Sequence, residues 1–341
     1  MATDLLPAES ASLASPENRS PTFGGATCES VAITSAKGQG SAVGVLGTGS
    51  LESDESKQAT VEGKSYSVVL SDYVQLTKPR IVVMILVTTC ATAMIGAGGW
   101  VSAPQLLWLL MGTAAIAGSA GAANQVWERV IDCRMTRTAN RPIPSGRVGA
   151  LPATLFTAIL GLFGAAVLTI QFGLVPAGVG VATWALYVLV YTPMKTRTAW
   201  NTTVGAVAGA IPVLIGYTAM GGSLMDWTGW LLVGVLVAWQ YPHFMSIAWM
   251  YRRQYGEAGF RMTTTEEPTG RSAGWQSILG SLALMACGVT LCCLPTGWLP
   301  AAVTSLAVIA SAWPMLKASV RFAKSPDDIR ARKLLRSSLL V

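Results

Sequence analysis

The sequence predicts an all-α integral membrane protein, a bundle of eight transmembrane helices. Hydrophobic residues make up 52% of the 341-residue chain and charged residues only 12%, too little charge to cover a soluble protein of this size. The mean hydropathy is +0.48. The 35 glycines suit membrane helices better than soluble ones. Together these features exclude two ordinary soluble domains.

Residues 1–70 form a separate segment. It is rich in Ser, Ala, Gly, Thr and Glu and carries eight acidic and four basic side chains. With no periodic apolar run, it cannot bury enough surface to offset its ordering entropy, which predicts a disordered, cytoplasmic tail. It lacks the basic and apolar blocks of a signal peptide, and its acids make a poor organelle presequence. Residues 71–341 form the membrane domain.

Beyond Lys78-Pro79-Arg80, apolar runs of about 20 residues, the length needed to cross a bilayer core, fall near 81–98, 105–126, 152–170, 173–192, 201–220, 227–249, 275–293 and 299–316. Strands are excluded because the alternation of a closed barrel is missing. Alternate loops hold all the Lys and Arg of this domain, whereas Asp226 is the single charge of the opposite loops. The bias predicts a multi-pass protein of the cell inner (plasma) membrane with its N-terminus cytoplasmic. The six cysteines show no C-x-x-C spacing and read as reduced packing residues rather than a disulfide framework or zinc site.

Polar groups cluster at the basic face. In Asn124-Gln-Val-Trp-Glu128-Arg-Val-Ile-Asp132, three oxygen-bearing side chains at i, i+4 and i+8 stack along one helical face. Such a row suits Mg2+, which takes one or two carboxylates and completes its shell with water and substrate phosphates. Taken alone, it equally fits an exposed turn with i, i+4 salt bridges to Arg129 or Arg134. Arg137 and Arg141 just beyond, and Lys195 and Arg197 after the fourth span, shift the balance: carboxylates ringed by cations describe a diphosphate site.

The pattern N-x-x-x-E-x-x-x-D followed by M-x-R-T-x-x-R-P resembles the first Asp-rich motif of the UbiA-type intramembrane prenyltransferases. Tyr191-Thr-Pro-Met-Lys195, Gly209-Ala-Ile-Pro212, Trp239-Gln-Tyr-Pro-His243-Phe244 and Tyr255-Gly-Glu-Ala-Gly259 resemble, within that family, the branch that farnesylates haem B (protohaem IX) to haem O. The likeness runs from about residue 72 to the C-terminus and implies nine spans, so that the final stretch from Ala331 reads as the threshold of a ninth, cut short. It implies transfer of a farnesyl group from farnesyl diphosphate to a haem vinyl group. It also implies Mg2+ as cofactor on Asn124, Glu128 and Asp132, and Arg137, Arg141, Lys195 and Arg197 on the diphosphate.

The bilayer, farnesyl diphosphate and haem B are the expected partners, with a haem A synthase or terminal oxidase downstream; no nucleic acid is expected. Gln254-Tyr255 stands where that branch carries Asp-Tyr, leaving Glu257 as the nearest acid of the second motif. His243, the single histidine, is counted with the catalytic residues. A haem-iron ligand, a metal or diphosphate contact and a proton acceptor all remain open for it. Rival expectations are a different aromatic or tetrapyrrole acceptor, an impaired haem-binding assembly protein, or a transporter; one-sided polar clusters and the lack of internal repeats disfavour the last.

Overall fold

The computed structural model describes residues 66–294 and 297–341. Most of the segment expected to be a disordered tail, residues 1–65, lies outside the described residues. Its last five residues differ from expectation: they open α1 (Tyr66–Leu76), which is ordered because Asp72 and Leu76 are buried on the bundle.

Among the described residues, eight helices are long and apolar enough to cross a membrane: α2 (Pro79–Ala97), α3 (Ala103–Asp132), α4 (Ala150–Phe172), α5 (Leu174–Met194), α6 (Asn201–Ala219), α7 (Trp227–Met250), α10 (Arg271–Cys293) and α11 (Trp298–Lys324). Short helices α8 (Arg252–Glu257) and α9 (Thr263–Glu266) lie between α7 and α10. The stretch expected to open a ninth span forms the amphipathic helix α12 (Asp328–Ser338). Each expected span falls on one of these helices. Two helices outrun the apolar runs that marked them, α3 by six residues and α11 by eight, because no breaker follows the last apolar residue. The extension of α3 carries Glu128 and Asp132.

In lipid, helices gain little from apolar contact alone, so close approach and interhelical hydrogen bonds decide the packing. Glycines supply the approach. A Cβ on Gly164 of α4 would come within 2.8 Å of the Gly112 carbonyl oxygen of α3, and one on Gly280 of α10 equally close to the Ala238 carbonyl oxygen of α7. A Cβ on Gly216 of α6 would run into the Thr89 carbonyl oxygen of α2. Hydroxyls supply the bonds: Ser119 donates to the Thr157 carbonyl at 2.8 Å, Trp184 donates to Ser119 at 3.0 Å, and Thr92 donates to the Val213 carbonyl at 2.9 Å.

Two large apolar clusters and two small ones result among the described residues. The larger joins α2 through α7 around Leu109, Ile116, Leu168, Val213 and Ile215. The second joins α7, α10, α11 and α12 around Met245, Trp249, Met315, Phe322 and Leu334. Large apolar side chains such as Leu155, Ile159, Leu162 and Ile170 face outward, as expected for a lipid-facing surface.

Cys90, Cys287 and Cys293 are free. Cys133 is disulfide-bonded, which corrects the expectation of reduced thiols throughout at that position, in a loop rather than in an apolar span.

Gly216→Ala should force α2 away from α6 and lower the thermal unfolding midpoint of the detergent-purified protein, with a loss of about 1–3 kcal/mol, the scale of overpacking a tight core. Gly178→Ala on α5, where a Cβ would meet nothing within 4 Å, should leave the midpoint unchanged. Equal behaviour of the two variants in a thermal melt would contradict the packing described.

Candidate active site

At the end of α3, Asn124, Glu128 and Asp132 are 0%, 5% and 1% exposed. These values rule out an exposed, solvated turn. A buried carboxylate costs several kcal/mol unless it is paired, and the pairs are present. Lys195, just beyond α5, holds Glu128 at 2.6 Å, and Arg141, in the loop after α3, holds Asp132 at 2.7 Å. Each bond uses one carboxylate oxygen, Oε1 of Glu128 and Oδ2 of Asp132.

Asn124 is gripped on both sides. Its Oδ1 accepts from Lys78 Nζ at 2.5 Å and its Nδ2 donates to Thr192 Oγ1 at 3.2 Å. Lys78 was not among the expected site residues. It has φ of 56°, the one positive φ outside glycine among the described residues. Pro79 disfavours the right-handed helical region for the residue before it, and the left-handed turn that results aims the Lys78 amine at α3. A non-glycine residue in that region is strained, and such strain collects at functional sites. The sequence signal was the X-Pro step itself, read only as the start of a span.

Thr192 is brought to Asn124 by a second irregularity. Within α5 the backbone changes to a π-helix over Leu186–Tyr191, ahead of Pro193. Thr192 Oγ1 donates back to the Tyr187 carbonyl at 2.9 Å. A π-segment is rare and re-aims side chains. Here it sets the Tyr191 ring 4.7 Å from the Lys195 amine, in space that Gly205 leaves open, since a Cβ there would come within 2.6 Å of the ring.

The second motif closes over the same point. Arg137 lies 4.7 Å from the Tyr251 ring centroid and donates to the Tyr255 hydroxyl at 3.3 Å. Tyr255, Phe260 and Ala258 pack with Met135 as a small apolar cap. The Arg261 N–H donates to the Lys195 carbonyl at 2.8 Å, and Asn201 Nδ2 donates to the Arg261 carbonyl at 2.7 Å. On the other flank Arg147 bonds Asp72 of α1 at 2.8 Å, and Gln125 donates to the Leu76 carbonyl at 3.0 Å. Four separate stretches of chain thus converge on one helix end.

Not every expected residue joins them. Arg197 is exposed, and it is its carbonyl that is engaged, by Arg261 Nη1 at 3.0 Å. Glu257 is also exposed. His243 contacts Trp239, Phe244 and Ser338, not the acids. Gln254 keeps a buried Oε1 with no hydrogen-bond partner. A cavity of about 750 Å3 opens between α6, α7 and α10 beside this loop; Val237, Leu279 and Gly280 wall it, and Glu266 and Glu267 stand at its rim. None of the cations of the acid cluster lines it. Hydrogen bonds from Thr269 and from the Ser272 N–H outweigh the slight burial of Glu267 and hold its carboxyl below the usual range.

Among the described residues no three His, Cys, Asp or Glu side chains gather to hold a metal. The donors at the end of α3 are two carboxylates and an amide, a hard-oxygen set that fits Mg2+ when a phosphorylated ligand supplies further oxygens.

A helical membrane bundle with paired acids and a crowd of Arg and Lys at one helix end defines an intramembrane enzyme acting on a diphosphate. The UbiA prenyltransferase family model matches residues 85–340, and the chain belongs to that family. It is 61% identical over 272 residues to the protoheme IX farnesyltransferase of Rhodopirellula baltica, covering 79% of this chain and 95% of that one. It is 39% identical to that of Solibacter usitatus, covering 80% and 94%. Among solved structures, a UbiA homolog from Archaeoglobus fulgidus bound to GPP and Mg2+ superposes with a TM-score of 0.62 at 14% identity, over 79% of this chain and 96% of that one.

The two site lysines differ electrostatically. Burial holds the Lys78 amine below the ordinary lysine value. Burial alone would lower Lys195 too, but the Glu128 carboxylate outweighs it and holds Lys195 above that value. As pH rises, Lys78 therefore loses its charge first, which should weaken binding of an anionic ligand at the end of α3. Lys78→Arg should move the alkaline limb of farnesyl thiodiphosphate binding to higher pH, since guanidinium stays charged. Lys195→Arg should leave that limb in place. Binding followed by calorimetry between about pH 7 and 11 checks this; an unmoved limb in Lys78→Arg would contradict it.

Proposed function

We propose that this chain transfers the farnesyl group of farnesyl diphosphate to a vinyl group of haem B, giving the hydroxyethylfarnesyl side chain of haem O. The observation that carries the reading is the burial of Glu128 and Asp132 in the N-x-x-x-E-x-x-x-D row against cations delivered from other segments. The 61% identity to a protein named for this reaction supports the choice of acceptor.

Lys78, Arg137, Arg141 and Lys195 bind the diphosphate oxygens, and the arginines can do so bidentately. Asn124, Glu128 and Asp132 would hold Mg2+, which when bound would supply further positive charge against the leaving group. The bond between farnesyl C1 and oxygen breaks with its electron pair leaving on diphosphate. Fixed cations in a dry site stabilise the charge that develops there. The vinyl π electrons attack C1 of the allylic cation, which forms the new carbon–carbon bond and moves the positive charge to the carbon next to the porphyrin ring. Water adds there and loses a proton, which leaves the hydroxyl. Water must stay out until carbon–carbon bonding is complete, and the cap of Met135, Tyr255 and Phe260 over Arg137 suits that task. The ring faces of Tyr187 and Tyr191, 5.2 Å apart, offer π density to a carbocation nearby.

The site lies at the cytoplasmic face of a prokaryotic plasma membrane, with the N-terminus on the same side; the loops around 133–149, 195–200 and 251–270 carry the basic residues that the positive-inside bias keeps there. A haem A synthase or terminal oxidase would take the product. Single cysteines in a cysteine-free background should label from the cytoplasm near Arg137 and from outside in the 221–226 loop. Labelling of the 221–226 loop from inside would reverse this orientation.

Asp132→Asn keeps volume and removes the anion. Haem O formed per folded protein, at saturating Mg2+ and farnesyl diphosphate, should fall by about 100-fold or more, the scale of losing an electrostatic stabiliser in a dry site. Asp132→Glu should fall less. Near-normal product from the amide variant would remove these acids from the chemistry, and absence of farnesylated haem from the unaltered protein would overturn the reaction itself.

A further inference from the structure

His243 lies within α7, seven residues before the helix ends at Met250, on a face covered by α12. Three contacts hold it. The Trp239 ring stacks on the imidazole at 4.9 Å and 20°. Phe244 lies 5.9 Å away. Ser338, the last residue of α12 and 1% exposed, places its Oγ 3.0 Å from His243 Nδ1. Ser338 is itself locked, because Trp239 Nε1 donates to its carbonyl at 2.6 Å.

The proton on this histidine can be placed from these bonds. A serine hydroxyl has one hydrogen and two lone pairs. With the hydrogen of Ser338 Oγ on the Leu335 carbonyl, 2.7 Å away, the oxygen is left to accept from His243, in a bond whose direction follows the imidazole tautomer. Nδ1 is therefore the N–H, and Nε2 carries the lone pair. An imidazolium would need charge compensation at this depth, and the ring's contacts are two aromatic residues and a hydroxyl. Nε2 itself takes no hydrogen bond among the described residues, and it is not among the sealed polar atoms.

We propose that His243 ligates the iron of the tetrapyrrole acceptor through Nε2, and that Ser338 is the positioning residue that fixes the tautomer and ring plane for it. The proposal rests on the reading of the acceptor as haem B. An imidazole that binds a metal through one nitrogen and donates the other N–H to a fixed acceptor is more basic and better oriented than a free one. Trp239 adds a rigid wall that stops the ring from rotating. In this arrangement α12 serves the acceptor, while the acids of α3 serve the donor.

The test uses the full chain in nanodiscs with ferrous haem B alone, read by absorption and resonance Raman spectroscopy. The expected result is a histidine-ligated haem in the unaltered protein, lost in His243→Ala and restored by added imidazole. Ser338→Ala should keep the ligand but weaken haem binding by about 10–100-fold and shift the iron–histidine stretch to lower frequency; Ser338→Thr should restore both. A haem spectrum indifferent to His243→Ala overturns the assignment, and Ser338→Ala with unaltered affinity and stretch overturns the role of Ser338. A parallel product assay on the unaltered protein separates the two levels. Farnesylated haem formed alongside a His243-independent spectrum removes the iron ligand alone, whereas absence of farnesylated haem removes the acceptor reading beneath it.

Discussion

Two carboxylates buried at the end of a membrane helix govern the rest of this structure. Glu128 and Asp132 lie where water is scarce, so each must find a cation, and neither partner is on α3 itself. Arg141 has to fold back from the loop after the helix, and Lys195 has to arrive from the end of α5. The Lys195 backbone is in turn pinned by Arg261, and Arg261 by Asn201. The requirement of pairing two charges thus sets the course of three loops. A pair of this kind adds little net stability, because desolvation offsets most of the attraction. What it gives is specificity: one arrangement of loops satisfies the acids, and others leave a charge bare.

The bundle around it is built to make that arrangement possible. Close helix contacts at Gly112, Gly164, Gly216 and Gly280 bring α2, α3, α4, α6, α7 and α10 near enough for their ends to share one site. Polar groups that would be costly in lipid are spent across helices, as with Ser119, Thr157 and Trp184. A rigid frame carrying paired charges is pre-organised for an anionic ligand, because its dipoles and cations need not reorganise when charge develops on it.

The spans, the acid row and its cationic ring were legible because they rest on hydropathy, helical periodicity and charge, which are properties of the sequence itself. Family motifs extended that to Arg137, Arg141 and Lys195 as cations of a diphosphate site, without the pairs Arg141–Asp132 and Lys195–Glu128. What escaped depends on backbone departures and on contacts far apart in the chain. The left-handed turn at Lys78 and the π-segment before Pro193 have no periodicity, and each re-aims one side chain into the site. Arg197 reads like Lys195 in sequence, yet two residues later the turn has rotated it to the surface. The contact of Ser338 with His243 joins positions 95 residues apart, and no local pattern announces it.

The pairing of the acids also has an order in time. A membrane protein is made from its N-terminus, and its early spans are present before the later ones exist. Lys78 precedes Asn124, and Arg141 follows Asp132 by nine residues, so those contacts can form as soon as α3 emerges. Glu128 must wait 67 residues for Lys195. Until α5 is synthesised, the nascent chain holds a carboxylate that its own sequence has not yet neutralised. The half-made protein therefore carries that carboxylate without Lys195 from the end of the second span to the end of the fourth, and the end of α3 can settle at its final depth only when α5 comes alongside.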